Sequence, residues 1–178
     1  DSFSDDPLRM LRAARFASQL NFEIAPEVII AMKDMAKRLE IISAERIRDE
    51  IIKLLMSPQP RAGITILVET GLADIALPEI PKLQLEVDEH HHHKDVYEHS
   101  ITVLEQAIAL EDRLGGPNLV IRLAALLHDI GKPKTRALLE GGGVSFHHHE
   151  VVGARLAKSR LRALRFSNEI IEEVETLI

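Results

Sequence analysis

Apolar residues recur at helical spacing along most of the chain. Leu8, Leu11, Ala14 and Ala17 form one stripe of a helix that Asp5 or Asp6 can cap. Residues 119–127 are apolar on every side, which indicates a helix buried on all faces. The pattern predicts an all-α protein, with helices near 5–20, 26–39, 43–56, 59–70, 95–112, 118–130, 149–164 and 167–178.

Local start and stop signals support these helices. Starts are predicted at Pro7, Pro26, Ser43, Pro58, Asp95, Asn118 and Ser167, and a stop is predicted at Gly71. The longest irregular piece is the loop 131–148, whose flanks 135–136 and 144–146 can pair as a small hairpin. The acidic stretch 86–89 before a histidine run divides the chain into two regions, residues 1–85 and residues 86–178.

Composition narrows the possibilities. The chain has no cysteine, which excludes disulfides and thiolate metal sites. A net charge of −6 argues against a simple basic nucleic-acid coat. No apolar run reaches membrane-spanning length, so we expect a cytoplasmic protein with no membrane partner.

The histidines are concentrated in the second half. All nine lie between His90 and His149. His128 and Asp129 end the buried apolar helix, where an imidazole and a carboxylate are costly to bury without a partner. One interpretation is a neutral histidine capped by aspartate in an ordinary core. The other is a metal site.

Two further helices favour the metal site, because His99 lies near the start of one and His149 opens another. The loop 112–118 joins the far ends of two antiparallel helices, which places His99 level with His128. We therefore predict a divalent metal of the Mg, Mn or Ni class on His99, His128, Asp129 and His149. His93 is an additional candidate ligand.

The pattern His…His-Asp…His resembles the HD superfamily of metal-dependent phosphohydrolases. The resemblance implies a phosphohydrolase or phosphodiesterase site in 86–178. The family's distal aspartate ligand has no obvious match before Ile178, so we expect an incomplete, C-terminally truncated site.

Basic residues crowd the same region. Lys132, Lys134 and Arg136 follow the His-Asp pair, and one helix carries Arg155, Lys158, Arg160, Arg162 and Arg165. A solvated helix face and a phosphate-facing surface are both open interpretations. For the second, the candidate RNA- or phosphate-binding residues are Lys132, Arg136, Arg155, Lys158 and Arg162.

Near the start of the chain, Asp5, Asp6, Arg9 and Arg12 share one helical face. An ordinary surface salt bridge is one explanation. The other is base selection: the pairing edges of cytosine and adenine each offer an amine donor beside a ring-nitrogen acceptor. A carboxylate such as Asp6 can accept from the amine, and an arginine such as Arg9 can donate to the ring nitrogen.

The segment 5–16 resembles the Glu-Asp-x-x-Arg motif of class II tRNA nucleotidyltransferases and bacterial poly(A) polymerases, with Asp5 where the family has Glu. Residues 22–26 and 42–50 are also typical of the family. In the second stretch Ser43 is expected to cap a helix, and Glu45 and Arg46 to brace the neck.

The resemblance implies that Asp5, Asp6, Arg9 and Arg12 bind the nucleotide, with ATP and CTP as substrates of the parent enzyme. The partner would be a tRNA or another RNA 3′ end. Residues 1–85 would form the nucleotide-selecting neck and helical body, and residues 86–178 the HD-type metal-binding domain.

Nothing in the 178 residues resembles the family's catalytic head. We therefore expect a fragment of an enzyme that adds C and A to tRNA 3′ ends. Such a fragment would have no nucleotidyl-transfer residues of its own and would depend on the head domain of the same chain. The alternatives are a poly(A) polymerase of the same family, a stand-alone HD phosphohydrolase, and a helical RNA-binding scaffold with a degenerate metal site.

Overall fold

The computed structural model describes residues 2–85 and 95–178. The chain forms two compact units, Asp1–Pro78 and Glu79–Ile178. The predicted division at residue 85 stays a prediction, and the acidic stretch, His90 and His93 lie outside the described residues. Within the described residues, no helix is long and apolar enough to cross a bilayer.

The first unit is entirely helical. Its elements are α1 Ser2–Asp5, α2 Leu8–Leu20, α3 Pro26–Met35, a 3₁₀ helix Ala36–Ile41, α4 Ala44–Leu55, α5 Pro60–Thr70 and α6 Ala73–Ala76. α2 packs against both α4 and α5. The predicted stripe of Leu8, Leu11, Ala14 and Ala17 is buried at this contact, so it is the apolar face of α2 that organises the unit.

A close helix crossing holds α2 against α5. The backbone N–H of Gly63 donates to the Ser18 hydroxyl at 2.7 Å. A Cβ on Gly63 would crowd the Ser18 hydroxyl of α2 and lie only 2.6 Å from Leu54 Cδ1 of α4, so a side chain at this position would force its neighbours to shift.

In residues 79–85 and 95–178, the regular structure of the second unit is helical apart from one small hairpin. Its elements are a 3₁₀ helix Pro81–Leu83, α7 Val96–Leu110, a 3₁₀ helix Glu111–Leu114, α8 Leu119–Leu127, α9 Lys132–Thr135, β1 Ala137–Leu138, β2 Val144–Ser145, α10 His149–Ala163 and α11 Asn168–Leu177. α8 packs against α7 and α11, and α10 packs against α9 and α11. β1 pairs antiparallel with β2, so a hairpin forms, but its first strand lies at Ala137–Leu138 and not at the predicted 135–136, because Thr135 belongs to α9.

Most helix signals are confirmed. The side chains of Ser43, Asp95, Asn118 and Ser167 accept backbone N–H bonds at the starts of α4, α7, α8 and α11. Gly71 ends α5 with a φ of 84°, the left-handed conformation that glycine adopts without strain.

Several predicted boundaries are wrong. The helix predicted over 26–39 is α-helical only to Met35 and continues as the 3₁₀ helix Ala36–Ile41, and the loop predicted over 131–148 contains α9. The helix predicted over 5–20 is two helices, because Asp6 accepts the Leu8 N–H in a tight turn between them. The start predicted at Pro58 lies at Pro60, and the helix predicted to reach 130 ends at Leu127. The burial of 119–127 is also incomplete, since its first three residues are partly exposed.

Candidate metal centre and nucleotide-selecting face

α7 and α8 run antiparallel and bring two histidines side by side. The rings of His99 and His128 are 5.4 Å apart between centroids and meet edge to face. This distance is compatible with shared coordination of one ion, for which metal–nitrogen bonds of about 2.0–2.1 Å are required. His128 follows the last residue of α8 and is half-buried.

Asp129 is the centre of the cluster. It is 2 % exposed, and its Oδ2 lies 3.2 Å from His128 Nε2 and 3.7 Å from His99 Nε2. These three side chains offer ligand atoms that all lie within 4.8 Å of one another. Two imidazole nitrogens and a carboxylate oxygen form a donor set that suits a divalent ion of the predicted class.

His149, the fourth predicted ligand, lies near the other oxygen of Asp129 but outside the group whose ligand atoms are all within 4.8 Å of one another. It opens α10, and its Nε2 lies 3.6 Å from Asp129 Oδ1. A Cβ on Gly131 would overlap the His149 carbonyl oxygen and lie 2.6 Å from Gly153 N. The missing side chain at Gly131 therefore lets the first turn of α10 approach the Asp129 segment.

Backbone carbonyls orient two of the rings. Nδ1 of His128 lies 2.8 Å from the Ala125 carbonyl, and Nδ1 of His149 lies 2.9 Å from the Phe146 carbonyl. Because a carbonyl only accepts, each Nδ1 donates and each Nε2 faces the cluster. In the neutral ring Nε2 carries a lone pair, and in the protonated His128 ring it carries a second N–H that donates to Asp129. This is the arrangement of a histidine prepared to ligate a metal through Nε2.

The charges in the cluster are strongly coupled. Burial raises the pKa of Asp129, but hydrogen bonds from His128 and Lys132 outweigh that effect and lower the pKa to about 2. The hydrogen bond to Asp129 raises the pKa of His128 above its usual 6.5, although burial opposes the change. Asp129 is thus a carboxylate anion at neutral pH, the form that can bind a metal ion.

The rest of the histidine-rich loop is directed elsewhere. His147 and His148 are exposed, and His148 has a φ of 60° immediately before α10. His93, the additional candidate ligand, lies outside the described residues.

An ion pair that the sequence did not indicate joins α8 to the 3₁₀ helix that follows α7. Arg122 lies within the run interpreted as wholly apolar, yet it is 3 % exposed and donates to both oxygens of Glu111 at 2.6 and 2.7 Å. The Asn118 N–H adds a third bond to Glu111 Oε1 at 3.3 Å. The pair lies at the end of the α7–α8 hairpin and contributes to the register that sets His99 beside His128.

The four selecting candidates do not share one helix face. Asp5 ends α1, so only Arg9 and Arg12 belong to α2. Arg9 is exposed and donates to the Ser2 carbonyl at 3.2 Å. The Arg46 guanidinium donates to Asp6 Oδ2 at 3.4 Å.

These contacts replace the salt bridge predicted within the Asp-Arg set. Arg46 braces α4 against the segment before α2, as the resemblance implied, whereas the role of Glu45 stays a prediction.

A buried carboxylate of α4 lies against the arginines of α2. Glu50 of α4 is 4 % exposed, and its Oε2 is 2.6 Å from Arg15 Nε, an ionic contact without the alignment of a hydrogen bond. Arg12 Nε lies 3.6 Å from the other oxygen of Glu50. Arg12 is therefore tied to α4, which sequence spacing alone did not indicate.

The candidate phosphate-binding residues divide into two groups. Arg136, Arg155 and Arg162 are exposed. Lys132 and Lys158 are engaged by Asp129 at 2.7 Å and by Glu175 at 2.9 Å.

Each half of the chain matches a known protein family. Residues 21–83 match the family described as the probable RNA and SrmB-binding site of polymerase A, and residues 96–178 match the HD domain family. The chain carries the neck and body region of the tRNA nucleotidyltransferase and poly(A) polymerase family, joined to an HD domain.

Relatives in this family are named for the addition of different nucleotides. The chain is 38 % identical to an A-adding tRNA nucleotidyltransferase of Deinococcus radiodurans, over all of this chain and 42 % of that protein. It is 37 % identical to a multifunctional CCA protein of Neisseria gonorrhoeae, over 97 % of this chain and 42 % of that protein.

It is also 34 % identical to a CC-adding tRNA nucleotidyltransferase of Thermus thermophilus, again over the whole chain and 42 % of the relative. The chain thus spans about two fifths of the length of these relatives.

Proposed function

We propose that this chain is the base-selecting and RNA-gripping region of a tRNA nucleotidyltransferase that adds C and A to RNA 3′ ends. The observation that carries the proposal is the similarity over 97–100 % of the chain to tRNA nucleotidyltransferases. The head domain of the longer protein would supply the transfer chemistry. A poly(A) polymerase of the same family is the alternative.

In this function Asp6 and Arg9 read the pairing edge of the incoming nucleotide. Asp6 Oδ1 accepts from Leu8 and Oδ2 from Arg46, which leaves lone pairs for an exocyclic amine, since a carboxylate has about four acceptor sites. Arg9 has one guanidinium nitrogen on the Ser2 carbonyl, and its other donors can reach a ring nitrogen. Cytosine and adenine fit this order of acceptor and donor, whereas uracil and guanine reverse it.

The test is nucleotide choice by the full-length protein. Arg9→Ala should lose about 1–3 kcal/mol of the preference for CTP and ATP over UTP and GTP, the value of one good bidentate base contact. Arg38→Ala is the matched control, because Arg38 also donates to a carbonyl of α1, that of Ser4 at 3.1 Å. If both variants keep the preference, Arg9 does not select the base.

For the second unit we propose a metal-dependent phosphohydrolase site, carried by the convergence of His99, His128 and Asp129. These residues would hold a divalent ion, with His149 as a further ligand. Such an ion supplies Lewis-acid polarisation of a phosphate ester and an activated water. The exposed Arg136 lies beyond the end of α9 and is a candidate contact for the phosphate.

A generic phosphodiester such as bis-p-nitrophenyl phosphate, with Mn²⁺ or Ni²⁺ added, tests this second function. Hydrolysis should be lost in Asp129→Ala and retained in His147→Ala, which removes an exposed imidazole from the same region. Hydrolysis by Asp129→Ala at the rate of the unsubstituted chain would contradict the assignment.

A further inference from the structure

The Lys132 ammonium contacts the same carboxylate oxygen of Asp129 that lies nearest to the His99 and His128 rings. Lys132 opens α9, three residues after Asp129, and its Nζ donates to Asp129 Oδ2 at 2.7 Å. That same oxygen is the one nearest to Nε2 of His128 and of His99, at 3.2 and 3.7 Å. The ammonium therefore occupies part of the space around Oδ2 into which a ligated ion would have to fit.

The contact is a strong one. Its length is at the short end of the range of about 2.7–2.9 Å for a hydrogen bond between an ammonium and a carboxylate. The side chain of Asp129 is 3 % exposed and that of Lys132 is 21 % exposed, so water screens the pair poorly. The Lys132 ammonium also lies over the Phe146 ring, 5.7 Å from its centroid.

We propose that Lys132 is a built-in competitor for the divalent ion: its ammonium neutralises Asp129 and must leave Oδ2 when the ion binds. The proposal rests on the metal site proposed above. A metal–oxygen bond is about 2.0–2.2 Å long, so an ammonium kept on the same oxygen would stand close to the ion in a poorly screened site. The repulsion between the two cations then opposes binding.

This role makes a prediction opposite in sign to the usual one. A residue that merely orients a ligand from outside supports the metal, and its removal weakens affinity by about 10–100-fold. A competitor restrains the metal, and its removal strengthens affinity. The sign of the change therefore distinguishes the two roles.

The first measurement is calorimetric titration of Mn²⁺ into protein freed of metal with EDTA. Lys132→Met should bind about tenfold more tightly or better, a change of about 1.4 kcal/mol. Lys134→Met is the matched control, because it removes the same charge from an exposed position of the same short helix and should bind like the unsubstituted protein.

The outcomes separate this proposal from the metal site itself. Weaker or unchanged binding by Lys132→Met, with measurable binding by the unsubstituted protein, overturns the competitor role alone. No binding by any of the three proteins overturns the metal site and the competitor together. Binding by Lys132→Met only is the strongest support for both.

A second measurement needs no variant and so does not depend on the folding of Lys132→Met. Lysines of the unsubstituted protein are acetylated briefly with an N-hydroxysuccinimide ester, with EDTA or with Mn²⁺, and are quantified by mass spectrometry. Displacement predicts faster acetylation of Lys132 in Mn²⁺, measured relative to Lys134. An unchanged or slower rate would show that the ammonium stays on Asp129 and would overturn the proposal.

Discussion

Replacing Glu111 with glutamine should lower the free energy of unfolding of the second unit by several kcal/mol. The substitution keeps the shape of the side chain but removes its charge. The Arg122 guanidinium then loses the carboxylate that accepts two of its hydrogen bonds, and an amide NH₂ faces a guanidinium NH₂. Of the ion pairs within the described residues, this one combines two side chains that are each at most 5 % exposed, joined by two bonds of 2.6 and 2.7 Å.

The geometry sets the magnitude. Removing one partner of a pair buried this deeply costs about 3–5 kcal/mol, a large share of the roughly 5–15 kcal/mol that stabilises a whole domain. A partly exposed pair of the same unit provides the scale for comparison. Lys158 and Glu175 are 35 % and 31 % exposed, so Glu175→Gln should cost about 0–1 kcal/mol.

A single fluorophore makes the assay specific to this unit. The chain has one tyrosine and no tryptophan, and Tyr97 is buried in α7. Urea unfolding followed by tyrosine fluorescence therefore reports the second unit. In a double-mutant cycle, Glu111→Gln with Arg122→Met should cost less than the sum of the single changes, by up to about 3 kcal/mol.

The loss of stability in Glu111→Gln should depend on pH in a defined direction. The hydrogen bond from Arg122 holds the pKa of Glu111 below its ordinary value of 4.5, even though burial raises it. A carboxyl with a lowered folded pKa stabilises above the unfolded pKa, and this stability is lost as the pH falls through the folded pKa. The difference between the unsubstituted chain and Glu111→Gln should thus be full near about pH 7 and shrink below 4.5.

A cost below about 1 kcal/mol at neutral pH, the value expected of an exposed pair, would refute this reasoning. So would a double variant as unstable as the sum of the two single ones, because the two charges would then not be coupled.

Three further predictions follow from close contacts. Gly131→Ala should weaken Mn²⁺ binding in a calorimetric titration, because its Cβ would overlap the His149 carbonyl. Gly153→Ala should have little effect, since its Cβ would meet nothing nearer than 3.4 Å; equal effects would contradict the prediction. His149→Ala should also weaken Mn²⁺ binding, whereas the exposed His147→Ala should not. Gly63→Ala should destabilise the first unit by about 1–3 kcal/mol in thermal unfolding followed by circular dichroism, because its Cβ would crowd side chains of α2 and α4; an unchanged midpoint would contradict it.

Features that depend on neighbours in sequence were predictable. Ser43, Asn118 and Ser167 cap their helices through bonds to residues three positions on, so a few letters of sequence contain the whole interaction. The same holds for Gly71, whose left-handed φ ends α5. The approach of His99 to His128 needed only one further step, since a short loop between two helices makes them antiparallel and sets their relative heights.

Contacts between distant residues were decided by the tertiary structure alone. Arg15 pairs with Glu50, and Asp6 with Arg46, across 35–40 positions of sequence. Arg122 lies within an otherwise apolar run, and only the tertiary structure places Glu111 opposite it. Hydrophobic periodicity states which face of a helix is buried, but not which partner that face meets or how closely the backbones approach. The sequence by itself therefore determined most of the helices, their caps and the approach of His99 to His128. The packing of one helix on another decided which charges are paired, and why Gly131 must lack a side chain.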